Sequence, residues 1–158
     1  MRQKKTPTQS VVTMTELVLP NYTNQLGNLL GGQLMHWIDI CAALSGARHS
    51  NRVCVTASVD RIDFHHPIKL GEVVTLVATV NRAFKTSLEV GVTVYAESHQ
   101  MGIRKLTNSA FLTFVSVNDN GEPIETNELV PETEEEKVRF DEALERRKIR
   151  LNSGKSSS

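Results

Sequence analysis

The sequence predicts an α+β domain in which a long, curved antiparallel sheet wraps one central helix, with a charged second helix on the C-terminal surface. Three observations point there. One apolar segment, from Gly31 to about His49, carries helical periodicity. After Asn51 the chain turns into long β-type runs separated by turn signals. Near the end, PETEEEKVRFDEALERRKIR has the charge order of a surface helix, glutamates first and arginines last. At 158 residues the chain suits one domain with a worthwhile core, whereas two would each be cramped.

Residues 1–9 are basic and polar and read as a disordered N-terminus. The domain proper is expected over 10–130. It opens with SVVTMTELVL, β-branched and ended by Pro20, as a first strand. The loop NYTNQLGN leads into the helix, whose apolar face is expected from Leu34, Trp37, Ile38, Cys41 and Leu44. Asp39 shares its side with Met35, Ala42, Ala43 and Gly46, all apolar or small, so this helix is expected to be buried almost all round. Four β runs follow: VCVTASVDRIDF from Val53, VVTLVATVNRAF from Val73, TSLEVGVTVYAES, and IRKLTNSAFLTFVSV from Ile103. In the third, Leu88, Val90, Val92, Val94 and Ala96 alternate inward. Runs of about 12 residues span about 40 Å, so the sheet must bend. A charged helix is expected over 131–151, with Thr133 and Glu136 at capping-box spacing, then a flexible tail over 152–158. Consecutive strands favour an antiparallel meander, and the lone helix becomes the object the sheet curls around, a layout called the hotdog fold. Such a sheet seldom hides both faces and its edges need cover, so a dimer joining two sheets edge to edge is expected.

Composition narrows the function. Hydrophobic residues make up 39% of the chain, and no run of about 18 apolar residues is present to insert in a membrane. No apolar signal-peptide core follows the basic start, because Thr13, Thr15 and Glu16 interrupt it. Cys41 and Cys54 form no CxxC pair, which points to a reduced, cytoplasmic protein without a disulfide framework or zinc site. Eighteen basic residues balance eighteen acidic ones, leaving no overall field to draw in nucleic acid.

The chemistry centres on the loop and helix. Asp39 could pair with Arg48 or Arg61 or face water. A carboxylate in mid-helix among apolar neighbours favours a functional role instead, and desolvation would make it a stronger base. Where a loop holding Gly27 opens a helix at Gly31 and Gly32, free backbone N–H groups and the positive end of the dipole converge on a place for a carbonyl oxygen or phosphate. Asn21, Asn24 and Asn28 all fit turn chemistry. Asp39 stands eight residues beyond Gly31, about 12 Å down the helix, too far for both to reach one reacting group within one chain. A site shared between two chains resolves this. His65 and His66 point apart on an extended chain with no third ligand spaced to help, so they read as a polar turn and no metal site is expected. His36 and His49 read as helix-surface or helix-end residues. Arg82 and Lys85, flanking the turn into Thr86 and Ser87, are candidates for a phosphate-bearing ligand.

The stretch TNQLGNLLGGQLMHWID resembles the motif of the hotdog acyl-CoA thioesterases of the cytosolic (brain-type) acyl-CoA hydrolase family. The similarity extends through VTASVDRIDFHHPIKLGE and TSLEVGVTVYAE, from about Val11 to Val117. The resemblance implies Asn24 and Asp39 as a catalytic pair drawn from opposite subunits, with two equivalent sites per homodimer and dimers assembled as a trimer of dimers. It implies hydrolysis of fatty acyl-CoA to free fatty acid and coenzyme A, with coenzyme A part of substrate and product and no separate cofactor. The amides of Gly31 and Gly32 would polarise the thioester carbonyl, and the nucleotide end would lie near Arg82, Lys85, Thr86 and Ser87. An acyl-CoA-binding module without turnover, or a hotdog dehydratase or hydratase, are the alternatives.

Overall fold

The computed structural model describes residues 2–60 and 62–156. Strands β1 (Lys4–Lys5), β2 (Val12–Leu17), β3 (Val53–Val59), β4 (Val73–Ala83), β5 (Ser87–Glu97), β6 (Arg104–Val117) and β7 (Glu128–Leu129) accompany helices α1 (Gly31–Ser50) and α2 (Glu134–Ser156). Five strands form one antiparallel sheet in the order β2-β4-β5-β6-β3. It curls around α1, which packs against all five of them.

The core follows from period-two alternation on the strands. Val74, Leu76, Ala78 and Val80 of β4 and Leu88, Val90, Val92, Val94 and Ala96 of β5 face inward, all essentially buried. They meet Leu34, Trp37, Ile38, Cys41 and Ala42 of α1. Burial pushes the Cys41 thiol up to about 11, which leaves it a packing residue.

Several expectations need correction. The meander holds for β4-β5-β6, but β3 pairs with β6 and not with β4. It ends at Val59 instead of running on to Phe64: Asp60 N still donates to Phe111 O at 2.8 Å, and the chain then leaves the sheet. The helix is not buried all round. Leu44 is 50% exposed and Ile40 37%, while Ser45, Gly46 and His49 are buried. The inward stripe passes through Leu34, Ile38, Cys41, Ser45 and His49, and Leu44 falls off it. On edge strand β3, Val53, Val55 and Val59 are exposed too, leaving an apolar and unpaired edge.

The described residues near both ends take up regular structure where none was expected. β1 pairs in parallel with β7, and Arg2 donates to Thr126 O at 2.7 Å and to Phe84 O at 2.8 Å. These partners lie far away along the chain, so local composition holds no trace of them. α2 continues through residues expected as tail, up to Ser156, with Ser153 Oγ donating back to Ile149 O at 3.0 Å. The capping box appears as the spacing implied: Glu136 N donates to Thr133 Oγ1 at 3.1 Å and Thr133 N to Glu136 Oε1 at 2.9 Å. α2 is fastened to the sheet by Arg146, which donates twice to the buried Glu89 at 2.7 and 2.9 Å. Among the described residues no helix is long and apolar enough to cross a membrane.

Candidate active site

The loop before α1 is organised by Asn24. Its backbone N–H donates to Asn28 O at 2.8 Å, and Gly27, at φ +75°, donates to Asn24 O at 3.0 Å. Glycine is favoured there because L side chains rarely enter the left-handed region. The side-chain oxygen Oδ1 accepts from the N–H groups of Leu26 at 2.9 Å and Asn28 at 3.1 Å. Those donors fix the amide's orientation and leave Nδ2 as the group Asn24 can offer outward. Three bonds anchor the loop: Leu29 N to Ile68 O, Leu30 N to Tyr22 O and Leu70 N to Gly27 O, at 2.7, 2.8 and 2.9 Å.

α1 begins directly after Leu30, whose backbone is extended. Gln33 N and Leu34 N both donate to Leu30 O at 3.1 Å, so the amides of Gly31 and Gly32, with no carbonyl a turn before them in the helix, point out of its positive end. A cleft of about 280 Å³ opens there, lined among others by Asn24, Gly31, Leu34, Phe64, His66 and Asn108. The phenyl ring of Phe64 lies 3.6 Å from where a Cβ on Gly31 would sit, forming an apolar wall beside the amide. His66, expected as part of a polar turn, is one of the lining residues.

Asp39 is elsewhere. It is half-buried, and it does not line the cleft that holds Asn24 and Gly31. Its Oδ1 accepts from Thr56 Oγ1 on β3 at 2.7 Å. Thr56 gives no signal in the sequence, because a threonine in a β run is unremarkable and only the packing of α1 on β3 brings it to the acid. One chain therefore keeps two features apart: a donor-lined cleft at the start of α1, and a carboxylate oriented by a hydroxyl about 12 Å further on. The carboxylate and its hydroxyl belong to the same helix and edge strand that leave Ile40, Leu44, Val53 and Val55 exposed.

The remaining candidates do not join the cleft. Arg82, near the end of β4, and Lys85, Thr86 and Ser87, at the turn into β5, do not line it. Arg82 Nη1 donates to Phe140 O at 3.0 Å and its guanidinium stacks over the Phe140 ring at 3.9 Å, so it fastens α2. Ser87 Oγ accepts from Arg147 Nη1 at 3.1 Å, and the carbonyls of Lys85 and Thr86 accept from Thr126 and Ser116. His49, expected at the helix end or surface, is fully buried. Its Nε2 donates to Asn127 O at 2.8 Å, and desolvation holds its pKa below the usual imidazole range. Arg61 lies outside the described residues. Among those residues no three His, Cys, Asp or Glu side chains cluster as metal ligands.

A curled antiparallel sheet wrapped around one helix, with a second helix packed outside it, defines a hotdog-fold domain. The model of the thioesterase superfamily matches residues 26–103. The uncharacterized acyl-CoA thioester hydrolase YkhA of Bacillus subtilis is 41% identical over 149 residues, covering 94% of this chain and 87% of that protein. The chain belongs to the hotdog-fold acyl-CoA thioesterase family. Mouse acyl-coenzyme A thioesterase 11 is 44% identical over 147 residues, but the chain spans only about a quarter, 24%, of that relative's length. Mouse acetyl-coenzyme A thioesterase is likewise covered over 25% of its length. Among solved structures, an apo-hexameric acyl-CoA thioesterase superposes with a TM-score of 0.92 at 37% identity, covering 96% of this chain and 97% of that one. Acyl-CoA hydrolase from Staphylococcus aureus, solved with butyryl coenzyme A and coenzyme A, gives 0.88 at 34% identity, with 98% and 96% covered. Variants of that enzyme with one aspartate, one asparagine or one threonine replaced by alanine have also been solved.

Proposed function

We propose that the protein hydrolyses acyl-CoA thioesters to a free acid and coenzyme A at a site shared by two chains, the cleft of one meeting Asp39 of the other. The observation that carries this reading is the division of labour within one chain. Donors for a carbonyl oxygen converge at the start of α1, while the acid that must complete them stands two turns away beside an exposed apolar edge. Pairing two such edges hides the valines of β3 and brings the half-sites of different chains together. The relatives support the substrate class. The three alanine variants of the Staphylococcus aureus enzyme carry their replaced asparagine, aspartate and threonine at the same mutual spacing as Asn24, Asp39 and Thr56. The hexameric relative supports assembly beyond the dimer, and a trimer of dimers is the arrangement we propose for it.

In the proposed reaction the thioester carbonyl oxygen accepts from the amides of Gly31 and Gly32 and from Asn24 Nδ2, which stabilise the negative charge that develops on it. Asp39, held by Thr56, takes a proton from water as the water oxygen attacks the carbonyl carbon. The C–S bond then breaks, and the thiolate of coenzyme A recovers that proton from Asp39. Direct attack by Asp39 through a mixed anhydride, hydrolysed by one water, gives the same products.

Thiol release from acyl-CoAs of graded chain length is the direct test. Release that is abolished by Asp39→Ala with the oligomer intact is the expected result, and no thiol release from any acyl-CoA refutes the reading. Mixing Asn24→Ala chains with Asp39→Ala chains should restore about one working site per mixed dimer. If every mixture stays inactive, the shared site is wrong.

A further inference from the structure

Asn108 is a polar side chain that the proposed mechanism does not use. It lies on β6, where the register with β5 shifts between Val94 and Tyr95 and leaves Thr107 as an extra residue. The bulge makes two successive residues face inward, Thr107 at 4% and Asn108 at 3% exposure. Thr107 satisfies itself by donating to Val94 O at 3.2 Å. Asn108 donates through Nδ2 to Asp63 O, which holds the loop bearing Phe64 and His66 over the cleft. A carbonyl can only accept, so the amide cannot be turned the other way, and Oδ1 is the end left over. Among the described residues Oδ1 has no hydrogen-bond partner, although Asn108 lines the same cleft as Asn24 and Gly31.

A buried amide oxygen without a donor is costly, so such a group calls for a donor from whatever fills the cleft. Asn24 Nδ2 and the amides of Gly31 and Gly32 are all donors and suit the carbonyl oxygen. Asn108 Oδ1 is the complementary acceptor and suits an N–H. Acyl-CoA carries one close to its reacting carbon, the amide N–H two methylenes beyond the thioester sulfur. We propose that Asn108 Oδ1 accepts from this first amide N–H of the pantetheine arm, making Asn108 a specificity residue that selects acyl groups carried on pantetheine. The inference rests on the thioesterase reading and adds to it a second fixed point on the substrate. With the carbonyl held at one end of the cleft and the amide at the other, the scissile C–S bond has one orientation toward the partner chain's Asp39.

The test compares a short-chain acyl-CoA with its analogue in which an ester oxygen replaces that amide N–H. The analogue offers no donor and sets an oxygen lone pair against Oδ1. Wild-type protein should prefer the amide by about 5- to 150-fold in kcat/KM. In Asn108→Ala the preference should collapse towards unity, whatever the variant's absolute rate. Asn108→Ser serves the same comparison if the alanine variant does not fold. Equal turnover of the two compounds by wild type overturns the proposal without calling on any variant, and so does an undiminished preference in either variant. If wild type leaves the acyl-CoA itself untouched, the thioesterase reading has failed and takes this inference with it. Turnover of acyl-CoA without discrimination removes the role of Asn108 alone.

Discussion

Replacing Arg146 by Met should be among the most destabilising single changes on the outer side of the sheet. Glu89 is fully buried on β5, and its carboxylate accepts from Arg146 at 2.7 and 2.9 Å and from Asn81 Nδ2 at 3.0 Å. The guanidinium also lies 3.6 Å over the ring of Phe111. Arg146→Met keeps most of the apolar stem but removes both charge-assisted bonds, leaving Glu89 with Asn81. Breaking a buried pair costs about 3–5 kcal/mol. The Arg146 side chain is 22% exposed, so water can reach the vacated space and the lower figure of about 3 kcal/mol is expected. Glu89→Gln combined with Arg146→Met removes the stranded charge, and the pair should cost about 1–2 kcal/mol less than the sum of the single changes. Urea unfolding of the four proteins, at one protomer concentration because association adds its own stabilisation, reads these numbers from the midpoints and slopes. A cost below about 1 kcal/mol for Arg146→Met, or additive single changes, would show that solvent already screens the pair and would refute the reasoning.

Thr56→Val removes the hydroxyl that holds Asp39 while keeping the shape of the side chain. It should lower kcat about tenfold with KM nearly unchanged, and Thr56→Ser should restore activity, whereas an unaltered kcat in the valine variant dismisses the positioning role. Glu136 is held below the usual carboxylate range chiefly by the backbone N–H of Thr133, with the N–H of Glu132 adding to it. A depressed folded pKa contributes stability above the ordinary glutamate range, and this is lost as pH falls through the folded value. Amide exchange in the first turn of α2 should therefore accelerate relative to the rest of the helix as pH falls below the ordinary glutamate range. Glu136→Gln should flatten that dependence, and identical profiles in both proteins would exclude the cap as its source.

Residue order alone shows the inward alternation of a regular strand and where helices begin. The alternation in β5, the start of α1 at Gly31 and the Thr133–Glu136 box are all legible. Periods of two and 3.6 and the chemistry of helix ends are local properties. The separation of about 12 Å between Asp39 and the glycine amides is equally local, a product of residue count and helical rise, and it points by itself to a shared site. Residue partnerships are not legible. That β3 lies beside β6, that Thr56 meets Asp39, that His49 is enclosed against Asn127 and that Arg82 serves α2 all depend on segments distant in sequence. Asn108 is the clearest case. In a strict alternation with Thr107 one of the two would face outward, and the bulge that turns both inward exists only through the pairing of β6 with β5. Local sequence determined the inward face of β5 and the starts of the two helices, because it carries their periods and caps. Tertiary structure decided which side chains meet, because register and packing arise between segments and not within them.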